Sequence, residues 1–206
     1  MAINTKTAKL YQELLDKTSY ASLSQTLPLA LRLARELGDA AFEKWVSLEK
    51  DGYGDVPVPT YRCVGRVLID HDRHVIPVGN NAPKTIELCI LPFGVAQLEQ
   101  AASSSEPLIL QIRDDEMEIL RRVYTTGTVF RSVISPIEVT GVLSDIKSEL
   151  SKWLDKIELA HSDLRACKTI TSDFRDGPGA GLAHTWNTAC AGWVRRRAIP
   201  KSPQQV

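Results

Sequence analysis

Long apolar runs are missing from this chain of 206 residues. Nothing in it approaches the roughly 18 consecutive apolar residues of a membrane-spanning helix. The opening "MAINTKTAKLYQELLDK" is polar and charged, without the apolar centre of a signal peptide. An excess of charge is missing too: 25 Lys and Arg balance 25 Asp and Glu, so no global field draws the protein to nucleic acid or to an anionic membrane. Cysteine pairs are missing as well. Cys63, Cys89, Cys167 and Cys190 are scattered with no C-x-x-C, which predicts reduced thiols in a cytoplasmic protein rather than a disulfide scaffold or a zinc site. The glycine-bearing stretches "TTGT" and "DGPGAG" match neither a P-loop nor a dinucleotide fingerprint, and no G-x-S-x-G elbow occurs.

What is present begins with helical periodicity. Leu10, Tyr11, Leu14 and Leu15 give residues 6–17 one apolar face. After the break "TSYASLSQT", Ser24 or Thr26 is the expected N-cap of a second helix, with Pro28 in its first turn. That helix is expected to bury Leu27, Ala30, Leu31, Ala34 and Leu37. Gly38 suits a left-handed helix end and Asp39 the cap of a third helix, which presents Phe42, Trp45 and Val46 and stops near Gly52. Two helices with so short a join must pack side by side, so 24–52 reads as a helical hairpin.

Beyond Pro57 and Pro59 the pattern changes. "TYRCVGRVLID" and "RHVIPVG" read as a hairpin of two strands. "KTIELCILPFGVAQLEQAAS" is ambiguous; its latter part suits a helix with Val95, Leu98 and Ala102 inward and with Pro92 and Gly94 near its start. "EPLILQIRD" and "TVFRSVIS" are strand candidates, separated by a short helix with Met117, Leu120 and Val123 inward. From Pro136 a long helix carries Val139, Leu143, Ile146, Leu150, Trp153 and Ile157 at alternating spacings of four and three. That seam, under three heptads long, suits a helix laid over its own core first, with a homodimer formed through 139–157 as the alternative. Residues 161–206 lack periodicity and hold seven Lys and Arg against three Asp. The expected class is α+β: an N-terminal helical hairpin, a small antiparallel sheet and a long C-terminal helix with a weakly structured tail. The domain spans 1–160 and the basic tail 161–206.

Candidate chemistry is sparse. "HDRH" sets His71 and His74 around Asp72, and "RDDEMEIL" gathers Asp114, Asp115, Glu116 and Glu118. A solvated turn explains the first, and acids complementing a helix dipole explain the second. "GWVRRRAIPK" offers Arg195, Arg196 and Arg197 for nucleic-acid contact. The densest cluster is "EKWVSLEKDGYGDVPVPTYR". Trp45, Gly52 and Pro59 are its structural elements, as core anchor, helix exit and stiffener. Glu49, Asp51, Tyr53, Tyr61 and Arg62 are its candidate binding residues, either an ion pair that fixes the turn or a polar pocket for a ligand.

The run Ser22-Leu23-Ser24, Leu27, Ala30-Leu31, Leu33-Ala34, Leu37-Gly38, Trp45-Val46, Glu49, Gly52-Tyr53, Pro59 and Tyr61-Arg62 resembles the AbiTii domain of abortive-infection systems. Its motif, E-x-N-G-Y followed by P-x-Y-R, stands here as Glu49-Lys50-Asp51-Gly52-Tyr53 and Pro59-Thr60-Tyr61-Arg62, with Asp51 where asparagine is usual. "FGVAQLEQ" and "VLSDIKSELSKWLDKIE" extend the resemblance, with Lys147 where arginine is common, so that it covers about residues 5–160; the tail from His161 matches nothing in it. The resemblance implies a prokaryotic antiphage context but no agreed reaction, so no catalytic residue, cofactor or metal is carried over. The expected role is a non-catalytic sensing or protein-interaction module whose protein partner is encoded with other defence genes. One alternative is a toxic effector enzyme, a nuclease or nucleotide hydrolase using Glu49, Asp51 and Arg62. Another is a nucleic-acid binder acting through the basic tail.

Overall fold

The computed structural model describes residues 5–77, 87–124 and 130–161. The first helix, α1 (Thr5–Tyr20), buries Leu10, Tyr11 and Leu14. Helix α2 (Leu23–Leu37) starts earlier than its sequence suggests. Ser22 is the cap, its side chain accepting from the Gln25 N–H, in place of the expected Ser24 or Thr26. A further acceptor explains the early start: Glu99 reaches across to take the N–H groups of Leu23 and Ser24, at 2.6 and 3.3 Å. These are donors that a helix start leaves unsatisfied. Pro28 therefore sits inside the helix rather than in its first turn, where it removes one backbone donor.

Gly38 closes α2 with φ 71°, and Asp39 caps α3 (Ala40–Asp51) by accepting from the Phe42 N–H at 3.0 Å. The other carboxylate oxygen of Asp39 accepts from the Trp153 indole at 3.0 Å, while Phe42 stacks on Trp153 with ring centroids 3.7 Å apart. One aspartate thus ties the hairpin to the last helix. The indole hydrogen bond holds the Asp39 carboxyl below its ordinary pKa, against the opposing effect of burial.

The chain then makes a 3₁₀ turn (Thr60–Arg62) and the strands β1 (Cys63–Gly65), β2 (Val67–Ile69) and β3 (Leu88–Ile90). Next come α4 (Val95–Ser103), β4 (Leu108–Gln111), α5 (Asp114–Tyr124), β5 (Arg131–Ile134) and α6 (Pro136–Ala160). Pairing is antiparallel throughout, β1 with β3 and β2-β5-β4 in that order. The expected hairpin is short: the Asp70 N–H donates to the His74 carbonyl and the Ile76 N–H to that of Leu68. β2 takes β5 as its partner, and the stretch after the turn contributes one bridge, Ile69 to Val75. Pro77 has no N–H to continue that ladder, and β5 pairs along the other edge of β2. Arg66 joins β1 to β2 with its side chain inward, so burial alternates without a break from Cys63 to Leu68.

The main core gathers Leu27, Leu33, Val46, Leu91, Leu98, Ile146 and Leu150, and a smaller one holds Leu68, Ile112, Leu120 and Phe130. The α6 seam is occupied from within. Val139, Ile146, Leu150, Trp153 and Ile157 are buried in the chain's own core, and Leu143 packs against it. Among the described residues no helix is long and apolar enough to cross a membrane. The inward placement of Val123 and the tail with Arg195, Arg196 and Arg197 lie outside the described residues.

The outer face of α6 yields a test of the helix itself. Gly141 is exposed, and a Cβ built there meets nothing within 4 Å. Gly141→Ala should stabilise the fold by about 0.5–1 kcal/mol, read from the midpoint of denaturant unfolding. A lower midpoint would mean that this face is already in contact with something.

Candidate functional site

Helix α3 cannot continue past Asp51, because Gly52 has φ 95° and ψ 166°, a region essentially restricted to glycine. The reason lies across the fold. A Cβ on Gly52 would sit 2.9 Å from the Pro92 carbonyl oxygen, and one on Gly94 would sit 2.4 Å from that of Lys50. Two backbones pass at a distance that excludes side chains on both sides. The crossing is closed by a hydrogen bond from the Tyr53 N–H to the Pro92 carbonyl at 2.8 Å.

Glu49, one turn before the helix exit, and Arg62, at the end of the 3₁₀ turn, meet beneath this crossing. Both are 0% exposed. Glu49 Oε2 accepts from Arg62 Nη2, and its Oε1 accepts from the hydroxyls of Tyr53 and Tyr61. Arg62 Nη1 donates to the carbonyls of Leu91 and Phe93, at 3.0 and 2.6 Å. With Tyr53 holding Pro92, three successive carbonyls of the 91–93 segment are taken by the 53–62 loop. The Trp45 indole donates to the Tyr61 hydroxyl at 2.9 Å, and the guanidinium lies 4.9 Å from the centre of the Tyr53 ring. A buried charge pair with its remaining acceptor sites filled by hydroxyls is the arrangement in which a low-dielectric ion pair is tolerated. Within this cluster, Arg62 Nε has no partner among the described residues.

Of the residues singled out in the sequence, Trp45, Glu49, Tyr53, Tyr61 and Arg62 converge here, with Gly52 at the crossing. Pro59 precedes the 3₁₀ turn with φ −60°. Asp51 does not join them; it is exposed and paired with Lys50 at 2.8 Å. The opposite wall was not legible in advance. Leu91 and Phe93 take part through their carbonyls, which no residue type announces, and Gly94 reads in sequence only as a helix start. The turn at 70–74 is what its sequence suggests: Asp70 accepts from the N–H groups of Asp72 and His74, and the side-chain atoms of Asp70, Asp72 and His74 lie within 4.8 Å of one another.

On the far side of the 92–93 segment lies an open cleft of about 690 Å³, within the size range of small-molecule sites. The 54–58 loop and Pro92-Phe93 line it together with Arg66, Cys89, Leu110, Gln111, Arg113 and Glu116. Arg66 Nη1 donates to Glu116 at 2.8 Å and to the Ser132 hydroxyl at 3.0 Å. Burial pushes the Cys89 thiol pKa up, in part offset by Arg66. It stays protonated at neutral pH, and the thiol is a poor nucleophile.

Two outcomes follow from the buried cluster. Glu49→Gln leaves Arg62 buried without its counter-charge and should cost about 3–5 kcal/mol in denaturant unfolding; a loss under about 1 kcal/mol would mean that the pair is dispensable. The tyrosines give a pH signature. Burial, then the hydrogen bond to Glu49, raises both hydroxyls above the ordinary 10.0, Tyr61 to about 12 and Tyr53 further. Because the folded pKa is raised, their contribution to stability is complete below about pH 10 and is lost as pH rises through about 12. Titrated by tyrosinate absorbance alongside circular dichroism, the last hydroxyls should ionise together with loss of helix. Simultaneous ionisation near pH 10 with the fold intact would contradict the burial.

A family model, AbiTii, matches residues 8–174. The match runs from within α1 through α6 and past His161, into the segment that the sequence sets apart from the family. No curated protein and no solved structure matches. With a match over most of its length, including both halves of the Glu49–Arg62 cluster, the chain belongs to the AbiTii family, which is associated with abortive infection and phage defence.

Proposed function

We propose that this domain is a non-catalytic sensing or protein-interaction module of an antiphage system, acting in the cytoplasm with a protein partner encoded beside it. The observation that carries this reading is the complete burial of Glu49 and Arg62. The acid and base best suited in sequence to act on a substrate are closed off from solvent, and both oxygens of Glu49 are engaged inside the fold. Catalysis needs a group within reach of the reacting atoms, and Asp51, the remaining member of the enzymatic alternative, is turned away on the surface. What the cluster leaves accessible is the neighbouring cleft, whose wall it holds in position. Recognition at a rigid-walled cleft is the use that such an arrangement favours.

The test combines two measurements on the full-length protein. Recovered by affinity from a bacterial host under phage challenge, it should carry a stoichiometric protein partner or a small ligand that is missing from unchallenged cells. Purified alone, it should turn over no nucleic acid, nucleotide or peptide. Turnover by the wild-type protein that disappears in Arg113→Ala, with the fold retained, would overturn the non-catalytic reading.

A further inference from the structure

The cleft has a chemistry of its own. One carboxylate, Glu116, stands between two guanidiniums, accepting from Arg66 at 2.8 Å and lying 3.5 Å from Arg113 Nη2. Arg66 is buried and also fixed by Ser132, so it orients Glu116 from behind. Arg113 keeps 65% of its side chain in solvent, within reach of a ligand. The charges lining the cleft cancel, Arg66 and Arg113 against Asp55 and Glu116. Asp114 adjoins Arg113 in sequence, so a polyanion gains nothing from the local field. What remains is directional: an acceptor beside a donor, in a cleft that Val56, Pro57 and Phe93 also line.

A planar ring edge with an N–H next to a carbonyl or ring nitrogen complements that pair, and its flat faces suit the aromatic and proline wall. We propose that the cleft binds a nucleobase-bearing molecule of nucleoside size. Glu116 accepts from the base's N–H, Arg113 donates to the adjacent acceptor, and Phe93 packs on the ring. This rests on the sensing reading above and names the class of molecule sensed. Each nucleobase has an edge with a donor next to an acceptor, and a cleft of about 690 Å³ accommodates base and sugar.

The experiment is equilibrium dialysis of the full-length protein against adenosine, guanosine, cytidine and uridine, and against each corresponding monophosphate, at low and high salt. At least one nucleoside should bind, with little gain from phosphate and little dependence on salt. Arg113→Ala removes the donor, and Val56→Trp fills the cleft from an exposed position. Each should weaken binding about tenfold or more with an unchanged melting temperature. Three results would overturn the assignment: no nucleoside bound, binding indifferent to both variants, or binding that requires phosphate and falls steeply with salt. Failure here is distinct from failure of the module reading, which turns on turnover. A protein that binds no nucleoside and turns over nothing loses the ligand but keeps the module.

Discussion

The ion pair between Glu49 and Arg62 is the constraint on which the remaining geometry depends. Removing two charges from water costs several kcal/mol per ion, and their attraction offsets that cost only when the leftover donors and acceptors are also satisfied. The surrounding residues meet that condition. Tyr53 and Tyr61 fill one carboxylate oxygen, and the Leu91 and Phe93 carbonyls take Arg62 Nη1. Each partner brings its own stretch of chain. The pair therefore fixes the exit of α3, the 53–62 loop and the 91–93 segment at once, which apolar side chains, being indifferent to direction, would not do. The two glycines at the crossing serve the same end, since any Cβ there would push the carbonyls out of reach of Arg62.

How much of this could be read beforehand depends on whether the physical cause is local. The helical hairpin was legible because Gly38 and Asp39 act within a few residues of themselves, and the site loop because Trp45, Glu49, Tyr53, Tyr61 and Arg62 are unusual types at close spacing. The cap of α2 was misplaced because its deciding partner, Glu99, is 76 residues from Leu23. The sequence announces the short hairpin of β2 with the stretch after its turn, since adjacent runs favour hairpins, but not the partner on the other edge of β2. β5 lies beyond four other elements, β3, α4, β4 and α5, and its pairing with β2 appears only once the sheet is assembled. The Leu91–Gly94 wall escaped notice for a different reason. It contributes backbone atoms, and backbone atoms carry no sequence signal.

The long final helix shows how one pattern supports two outcomes until the core is known. Spacings of three and four describe any helix with a single apolar stripe, whether it faces a second copy or its own domain. Here Trp153 decides. Its stacking on Phe42 and its hydrogen bond to Asp39 bind α6 to the hairpin of the same chain. Tyr11 adds a second tie through its hydrogen bond to Glu158 at 3.2 Å.

A consequence concerns what the shared motif can say about function. Residues that lock a fold are constrained by geometry, and that geometry is the same whatever the domain recognises. Chains that share the Glu-Gly-Tyr and Pro-Tyr-Arg elements should share the crossing and the cleft wall, and those elements are spent inside the fold. Under the proposed reading, recognition falls instead to side chains of the cleft lining, among them Val56, Arg113 and Glu116. Function resides in sites carried by a fold rather than in the fold. In this domain the two are separated by the width of one extended segment, 92–93, whose carbonyls face the lock and whose side chains face the cleft.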